Sequence, residues 1–158
     1  SRRAIGDMSA LKDTIQADLK TAMLARDTLR TQTLQGLKSA ILYEEVAKKI
    51  RETGLPEEDI EKIIARECKK RDEAAELFEQ GGNTESAAKE RAEKEILSAY
   101  LPEQMDEAAL SAIIATAIDE IKPDGAKDMG RVIGAVKARV GNAADGGLIA
   151  KLVKDALQ

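Results

Sequence analysis

Residues 127–157, KDMGRVIGAVKARVGNAADGGLIAKLVKDAL, decide the fold at the C-terminal end of the chain. Apolar residues recur three and four positions apart on both sides of the small-residue turn GNAADGG, which is the pattern of two amphipathic helices. Met129, Val132 and Val136 lie on one side of the first of these helices, and Asp128 can cap its N-terminus. The stretch is therefore predicted to be a helical hairpin that carries Lys and Arg on its outside.

The same spacing continues upstream and predicts four further helices before residue 100. Ser9 is a suitable N-cap for a helix from about Ala10 to Arg26, and Asp27 can cap the next helix. A third helix follows the break ETGLPEED and is predicted to stop at residues 81–82, two glycines. Asn83 can cap the fourth.

The break between the second and third helices contains residues that are typical of helix ends and helix starts. Gly54 suits the position just after a helix, Pro56 suits the first helical residue, and the following acids complement the positive helix end. The residues expected on the inner side of the second helix are Leu34, Leu37, Ile41, Leu42, Val46 and Ile50. Those expected on the inner side of the third are Ile60, Ile63, Ile64, Cys68, Ala74, Ala75 and Phe78.

The stretch YLPEQMDEAAL, residues 100–110, is the clearest boundary. Pro102 disfavours helix at Leu101, and Asp106 can cap the fifth helix. Because no segment alternates like a strand, we predict an all-α protein, with an N-terminal bundle or hairpins of about four helices over residues 8–101 and a small three-helix domain over 102–158. Residues 1–7 are interpreted as a cloning remnant ahead of Met8.

The composition excludes several classes of protein. The chain is 43% hydrophobic and 34% charged, which favours a globular fold over disorder. Its net charge of −4 is not the basic signature of a nucleic-acid binder, so no DNA partner is expected. One cysteine allows no intrachain disulfide, which fits a cytoplasmic location, and no apolar run reaches the roughly 20 residues of a membrane span.

The residues that usually carry catalysis or bind metals are scarce. The chain has no histidine, the commonest general base and metal ligand. Cys68 lies at an apolar helical position without a base to activate it, so a structural role is expected. The abundant carboxylates lie among charged neighbours and are interpreted as solvated helix surface. We therefore predict no catalytic residue, no metal and no cofactor, and expect no enzyme activity of the chain on its own.

The positive charge is concentrated at the C-terminal end. Residues 127–158 have a local net charge of +3, which leaves −7 for the rest of the chain. The candidates for contact with RNA phosphates are Lys127, Arg131, Lys137, Arg139, Lys151 and Lys154. The alternative from spacing alone is a solvated hairpin face, and Asp145 can occupy the N–H groups that would hold an anion. Gly130 and Gly134 share a helix face and are predicted to let the sixth helix approach a neighbour closely.

Several blocks together resemble the YqeY-like family, which is related to the tail domain of GatB, a subunit of the glutamyl/aspartyl-tRNA amidotransferase. The blocks are DMGRVIGAVKARVGNAADGGLIAKLVKDAL, RDTLRTQTLQGLKSAILYEE, KKRDEAAELFEQGG and AEKEILSAYLPEQMDEAAL. The positions matched in the tail are Asp128, Met129, Gly130, Gly134, Gly146, Leu148, Lys151 and Leu152. The resemblance implies that the glycines, with Gly147 and Pro102, set turn and packing geometry.

The resemblance also implies a function. The GatB tail helps to hold tRNA, whereas the carbon–nitrogen ligase chemistry with glutamine as amido-N-donor resides in other parts of that complex. The chain is therefore expected to be a non-catalytic module that binds tRNA or accompanies a tRNA amidotransferase. The alternative is a protein-interaction module without an RNA role. The family's turn is often more basic, and residues 141–142, Gly-Asn, replace such a base here.

Overall fold

The computed structural model describes residues 2–158, with side chains from Ala10 onward, and over this range it is all-α, as predicted. Its helices are α1 (Arg2–Leu24), α2 (Thr28–Ala47), α3 (Glu57–Gln80), α4 (Thr84–Ser98), α5 (Glu107–Ile121), α6 (Met129–Val140) and α7 (Gly146–Ala156). Single turns of 3₁₀ helix lie at Gly125–Asp128 and Gly141–Ala143. None of the helices in the described range has both the length and the apolar composition that crossing a bilayer requires.

The chain divides after Leu101 into two compact units, each with its own apolar core. The N-terminal core is built by Ile15, Leu19, Leu34, Leu37, Ile41, Leu55, Ile60, Ile63, Ile64, Cys68, Ile96 and Leu97. The C-terminal core is built by Leu110, Ile114, Ala117, Val132, Val136, Val140, Ile149 and Val153. Each list draws on every helix of its unit, so all the helices of a unit bury one face together.

Side-chain caps begin four of the helices at the predicted residues. Each cap accepts a hydrogen bond from the backbone N–H three residues later, which satisfies a donor that the helix itself cannot satisfy. The four caps are Asp27, Asn83, Asp106 and Asp145. The end of α3 before Gly81 and Gly82 is confirmed as well, and Gly82 has a φ of 78° that suits glycine.

Two predicted caps are wrong. Helix α1 begins at Arg2, so Ser9 lies within the helix instead of before it, because Arg, Ala and Met upstream also favour helix. Asp128 makes no capping bond to α6, since its Oδ2 accepts the backbone N–H of Asp124 at 2.6 Å. The interpretation of residues 1–7 as a cloning remnant stays a prediction.

The end of α2 also differs from the prediction. Lys49, and not Gly54, takes the left-handed position after the helix, with a φ of 59°, and the N–H of Ile50 then bonds to the carbonyl of Glu45 at 2.9 Å. Gly54 has a φ of 80° within the loop that follows. Pro56 is the residue before α3 and not its first helical residue.

Three large side chains predicted to face inward are exposed instead. Leu42 is 42% exposed, Val46 54% and Phe78 37%. Successive helical residues are about 100° apart, so Leu42 is rotated away from its buried neighbour Ile41 and lies beside the core, not within it. The inner face of α2 is therefore narrower than the apolar pattern suggested.

A buried carboxylate ties three segments of the N-terminal unit together. Glu45 on α2 is 1% exposed, and its oxygens accept from Lys12 Nζ of α1 at 2.8 and 3.0 Å. Its Oε2 also accepts the backbone N–H of Leu55, at 3.1 Å, from the loop before α3. Because a buried charge requires a partner and hydrogen bonds, this set fixes α1 and the loop against α2.

Tyr100, two residues after the end of α4, is hydrogen-bonded to α1. The Tyr100 hydroxyl donates to Asp18 Oδ2 at 2.5 Å. Burial, followed by this hydrogen bond, raises the pKa of Tyr100 above the usual tyrosine value. The neutral, donating form of Tyr100 is therefore the one that the fold stabilises.

Replacing Tyr100 with phenylalanine is expected to lower the free energy of unfolding by about 1–2 kcal/mol, because Asp18 loses a charge-assisted hydrogen bond. Since the pKa of Tyr100 is raised in the folded state, its contribution is complete below the unfolded value of about 10 and is lost as the pH rises further. Urea unfolding between pH 8 and 11 checks this: the wild type should lose stability above about pH 10 more steeply than Tyr100→Phe. Parallel pH curves for the two proteins would contradict it.

Candidate nucleic-acid interface

The candidate interface lies on the hairpin of α6 and α7 in the C-terminal unit. Val132, Val136 and Val140 are buried, which leaves the other side of α6 outward. Gly141 ends the helix with φ 53° and ψ −132°, a conformation that residues with a Cβ rarely adopt. The chain then turns, and Asp145 caps α7. Five of the six predicted basic residues are thus carried on two short helices joined by a tight turn, and Lys127 lies in the 3₁₀ turn before α6.

Half of the six candidate bases are already paired with acids of the same unit. Lys127 Nζ lies 2.9 Å from Asp124 Oδ2, and Arg131 Nη1 lies 3.5 Å from Asp128 Oδ1. Arg139 pairs with Glu120 of α5. The pairs with Asp124 and Glu120 are exposed on both sides, whereas Asp128 is partly buried. Exposed ion pairs are weak, so those two pairs reduce the local positive charge without locking Lys127 and Arg139 in place.

The other three bases have no carboxylate partner among the described residues, and we call Lys137, Lys151 and Lys154 the basic strip. All three are exposed. Lys137 Nζ lies 3.5 Å from the point that a Cβ on Gly146 would occupy, which places this ammonium beside the start of α7. Lys151 and Lys154 are three residues apart and therefore lie on the same side of α7.

The glycines of the hairpin differ in what surrounds them. A Cβ on Gly146 would lie 3.5 Å from Lys137, whereas exposed Gly147 lies four residues before Lys151 and on the same side of α7. Gly130 and Gly134 do not support the predicted close approach: both are exposed, and a Cβ on either would meet no atom within 4 Å. The face of α6 that carries them points away from the core, because Val132 and Val136 occupy the inner side.

Pro102 lies in a segment that is hydrogen-bonded to the turn between α6 and α7. Gln104 Nε2 donates to the carbonyl of Pro102 at 2.8 Å and to that of Asn142 at 3.0 Å. The N–H of Met105 donates to the carbonyl of Ala143 at 2.8 Å. These bonds hold the turn at residues 141–143 against the segment that precedes α5.

The start of α7 is a poor anion site in this chain. Asp145 Oδ2 accepts the backbone N–H of Leu148 at 3.0 Å, so one of the free donors of the helix start is already used. The aspartate also adds negative charge where the helix dipole would attract a phosphate. Any phosphate is therefore expected to meet the lysine side chains and not the backbone N–H groups.

The described residues contain no group of three or more His, Cys, Asp or Glu that could hold a metal ion. Cys68 is buried, and burial raises the pKa of its thiol, which disfavours the reactive thiolate. A groove of about 530 Å³ between α5 and α7 holds two carboxylates, Asp119 and Asp155. Both are exposed, whereas a catalytic acid needs an apolar enclosure to raise its pKa.

Comparison with protein families identifies the chain. The sequence profile of the family described as Yqey-like protein matches residues 12–157. The chain belongs to the Yqey-like protein family. The match spans both units of this Yqey-like protein and includes every residue of the basic strip. No curated protein matches the chain.

The acids that pair with the candidate bases were not anticipated from the sequence. Asp124 with Lys127, and Asp128 with Arg131, are three residues apart, a spacing that could have indicated both pairs. Glu120 lies on a different helix from Arg139, and no local pattern of this Yqey-like protein indicates that pair.

Proposed function

We propose that this Yqey-like protein is a non-catalytic module that binds tRNA, alone or together with a tRNA-dependent amidotransferase, through its C-terminal unit. The observation that carries the proposal is the basic strip: three exposed lysines, none paired with a carboxylate among the described residues, on one short hairpin. Lysine ammonium groups contact the phosphate backbone, which supplies most of the affinity for nucleic acids without specifying sequence.

The chemistry of the strip favours a folded RNA over a single strand. Residues 102–158 contain no aromatic side chain, so bases cannot stack on this unit. A rigid helical hairpin can instead follow the phosphates of a folded RNA by shape. Lys127 and Arg139 pair with exposed acids and can exchange them for phosphates at small cost, which extends the surface.

A tRNA titration at two salt concentrations tests the proposal. Three phosphate contacts give a slope of log affinity against log salt of about −2 to −3, so affinity should fall about 20- to 40-fold between about 50 and 200 mM KCl. In the variant with Lys137, Lys151 and Lys154 each changed to Glu, binding should be lost and the slope should approach zero. Fluorescence anisotropy of labelled tRNA measures both, and circular dichroism verifies that the helices persist.

The matched control reverses three charges in the N-terminal unit. Lys20, Arg66 and Lys69 are exposed and have no ion pair among the described residues, so changing them to Glu alters the net charge by the same amount. The control should keep most of the wild-type affinity. Equal losses in the two triple variants, or a wild type that does not bind tRNA at the lower salt concentration, would contradict the proposal.

A further inference from the structure

The groove of about 530 Å³ between α5 and α7 has a mostly apolar lining. Ile114 is buried, whereas Ile118 and Leu152 are partly exposed and also pack against the core of the C-terminal unit. The core thus extends to the surface at this groove. The uncharged lining residues are Ser111, Ile114, Ala115, Ile118, Leu152 and Ala156. The groove therefore offers a partner an apolar strip bordered by small side chains.

The wall that α5 contributes carries no charge over three turns of helix. Residues 108–118, AALSAIIATAI, include no charged residue, although the chain as a whole is 34% charged. Six of these eleven positions are exposed, namely 108, 109, 111, 112, 115 and 116. The outer side of a surface helix is normally charged or polar. An uncharged outer side beside an apolar groove indicates a contact surface.

The charged lining residues of the groove are two carboxylates, Asp119 on α5 and Asp155 on α7. Both are exposed, and neither forms an ion pair with another described residue. Lys122 and Lys151 lie three and four positions away from them along the chain, yet they do not neutralise them by an ion pair. The groove thus has one unpaired negative charge on each of its two walls.

The ends of the two helices add to this negative charge. Both α5 and α7 contribute residues of their last turn to the lining, and the C-terminal end of a helix carries a partial negative charge. No basic residue lies in the last turn of α5 to compensate it. The carboxylates and the helix ends therefore favour a cationic partner, and they disfavour a phosphate.

The shape of the groove favours a macromolecule over a small ligand. Five of its eight lining residues are exposed, whereas a small-molecule site usually encloses most of its ligand. Along α5 the lining runs from Ser111 to Asp119, which is about 12 Å or two helical turns. A groove between two neighbouring helices can accept the ridge of side chains on a third helix.

We propose that the groove between α5 and α7 binds an amphipathic helix of a partner protein, one whose apolar stripe is flanked on both sides by Lys or Arg. The apolar stripe packs on Ile118 and Leu152, as in other helix-in-groove complexes. The flanking bases reach Asp119 on one wall and Asp155 on the other. A base on each side of the stripe is required because the two carboxylates belong to different helices.

This surface is separate from the basic strip, so the proposal does not depend on tRNA binding. Lys154 lies about 200° around α7 from Leu152, on the opposite side of the helix. The charge of the groove also has the opposite sign to that of the strip. Replacing the groove carboxylates is therefore expected to leave tRNA bound.

A labelled model peptide tests the proposal with the full chain. The probe is an amidated helical peptide of about 18 residues with leucine at every third or fourth position and lysine on both sides of this stripe. Fluorescence anisotropy in about 50 mM KCl should give a Kd of tens of micromolar, because the contact is small. A peptide with glutamate in place of each lysine should bind at least ~10-fold more weakly.

Asp119→Asn combined with Asp155→Asn tests the charges. This double variant should raise the Kd of the basic peptide about tenfold or more, because both bases lose their partners. Glu103→Gln with Glu107→Gln is the matched control, since it removes the same charge from two exposed acids of the same unit that do not line the groove. The control should change the Kd by less than about twofold.

Ala115→Phe tests the groove itself without altering its charge. The larger side chain occupies the space expected for the partner's apolar stripe, so the Kd should rise about tenfold. Ala112→Phe is the control, because Ala112 is exposed on α5 but does not line the groove, and it should bind like the wild type. Circular dichroism verifies that every variant keeps its helices.

Amide NMR spectra locate the bound peptide, and the expected shifts lie at residues 111–119 and 152–156. A wild type that does not bind the basic peptide at about 500 µM would overturn the proposal. So would equal binding of the two peptides, equal losses in a groove variant and its control, or shifts confined to another surface.

Discussion

Replacing Lys12 with methionine is expected to lower the free energy of unfolding by about 3 kcal/mol. The change leaves the Glu45 carboxylate, 1% exposed, without the ammonium group that approaches it at 2.8 Å. Removing one member of a buried pair is costly because the remaining charge has lost both its water and its partner. The loss should lie at the lower end of the usual range, because 42% of the Lys12 side chain is exposed and water can partly replace it.

Urea unfolding followed by circular dichroism measures this effect, and Lys62→Met is the matched control. Lys62 also forms an ion pair, 3.6 Å from Glu58, but both side chains are largely exposed, so the change should cost less than about 0.5 kcal/mol. Adding Glu45→Gln to Lys12→Met should recover part of the lost stability, because the uncompensated charge disappears. A double variant less stable than Lys12→Met alone would show that Lys12 does not act by neutralising Glu45.

The second large effect is expected at Ile64. This residue is 0% exposed in the first half of α3, and truncation to alanine leaves a cavity among the core side chains of the N-terminal unit. The expected loss is about 3–4 kcal/mol, the sum of the lost burial and the cavity. Calorimetry should show a correspondingly lower melting temperature.

Leu77→Ala is the control for Ile64→Ala, because Leu77 lies on the same helix and is 69% exposed. Its truncation should change the stability by no more than about 0.5 kcal/mol, since little apolar surface becomes newly exposed. Similar losses for the two variants would mean that the second half of α3 contributes to the core as much as the first half does.

The features of the fold that could be predicted from the sequence depend on neighbouring residues. The caps Asp27, Asn83, Asp106 and Asp145 act within three residues of their own positions, so local spacing identified them. Asp128 shows the limit of that reasoning. Its sequence context suits a cap equally well, but its oxygen is taken by an N–H on the other side, at Asp124.

The features that could not be predicted depend on contacts between distant residues. Glu45 lies four residues before Lys49, a spacing typical of an exposed ion pair along a helix, yet its partner is Lys12, 33 positions away. Only the packing of α1 on α2 brings these two groups together. The exposure of Leu42 and Val46 was missed for a related reason: both were assigned to the core because apolar type alone does not distinguish two faces of one helix.

The candidate interface was predicted as a set of six bases, and the structure divides that set. Lys137, Lys151 and Lys154 have no acidic partner among the described residues, whereas Arg139 pairs with Glu120, an acid of another helix. Local charge counts cannot make this distinction, because they do not show which acid each base meets. That the basic strip binds tRNA is a prediction, which the tRNA titration tests.

The placement of the two tyrosines has a practical consequence for spectroscopy. The chain has no tryptophan, and its tyrosines are Tyr43 on α2 and Tyr100, whose hydroxyl is hydrogen-bonded to Asp18. Intrinsic ultraviolet emission therefore originates entirely from the N-terminal unit. A single tryptophan introduced into the C-terminal unit would act as a reporter there without background from a native indole, and the two halves of the molecule could be followed at separate wavelengths in one sample.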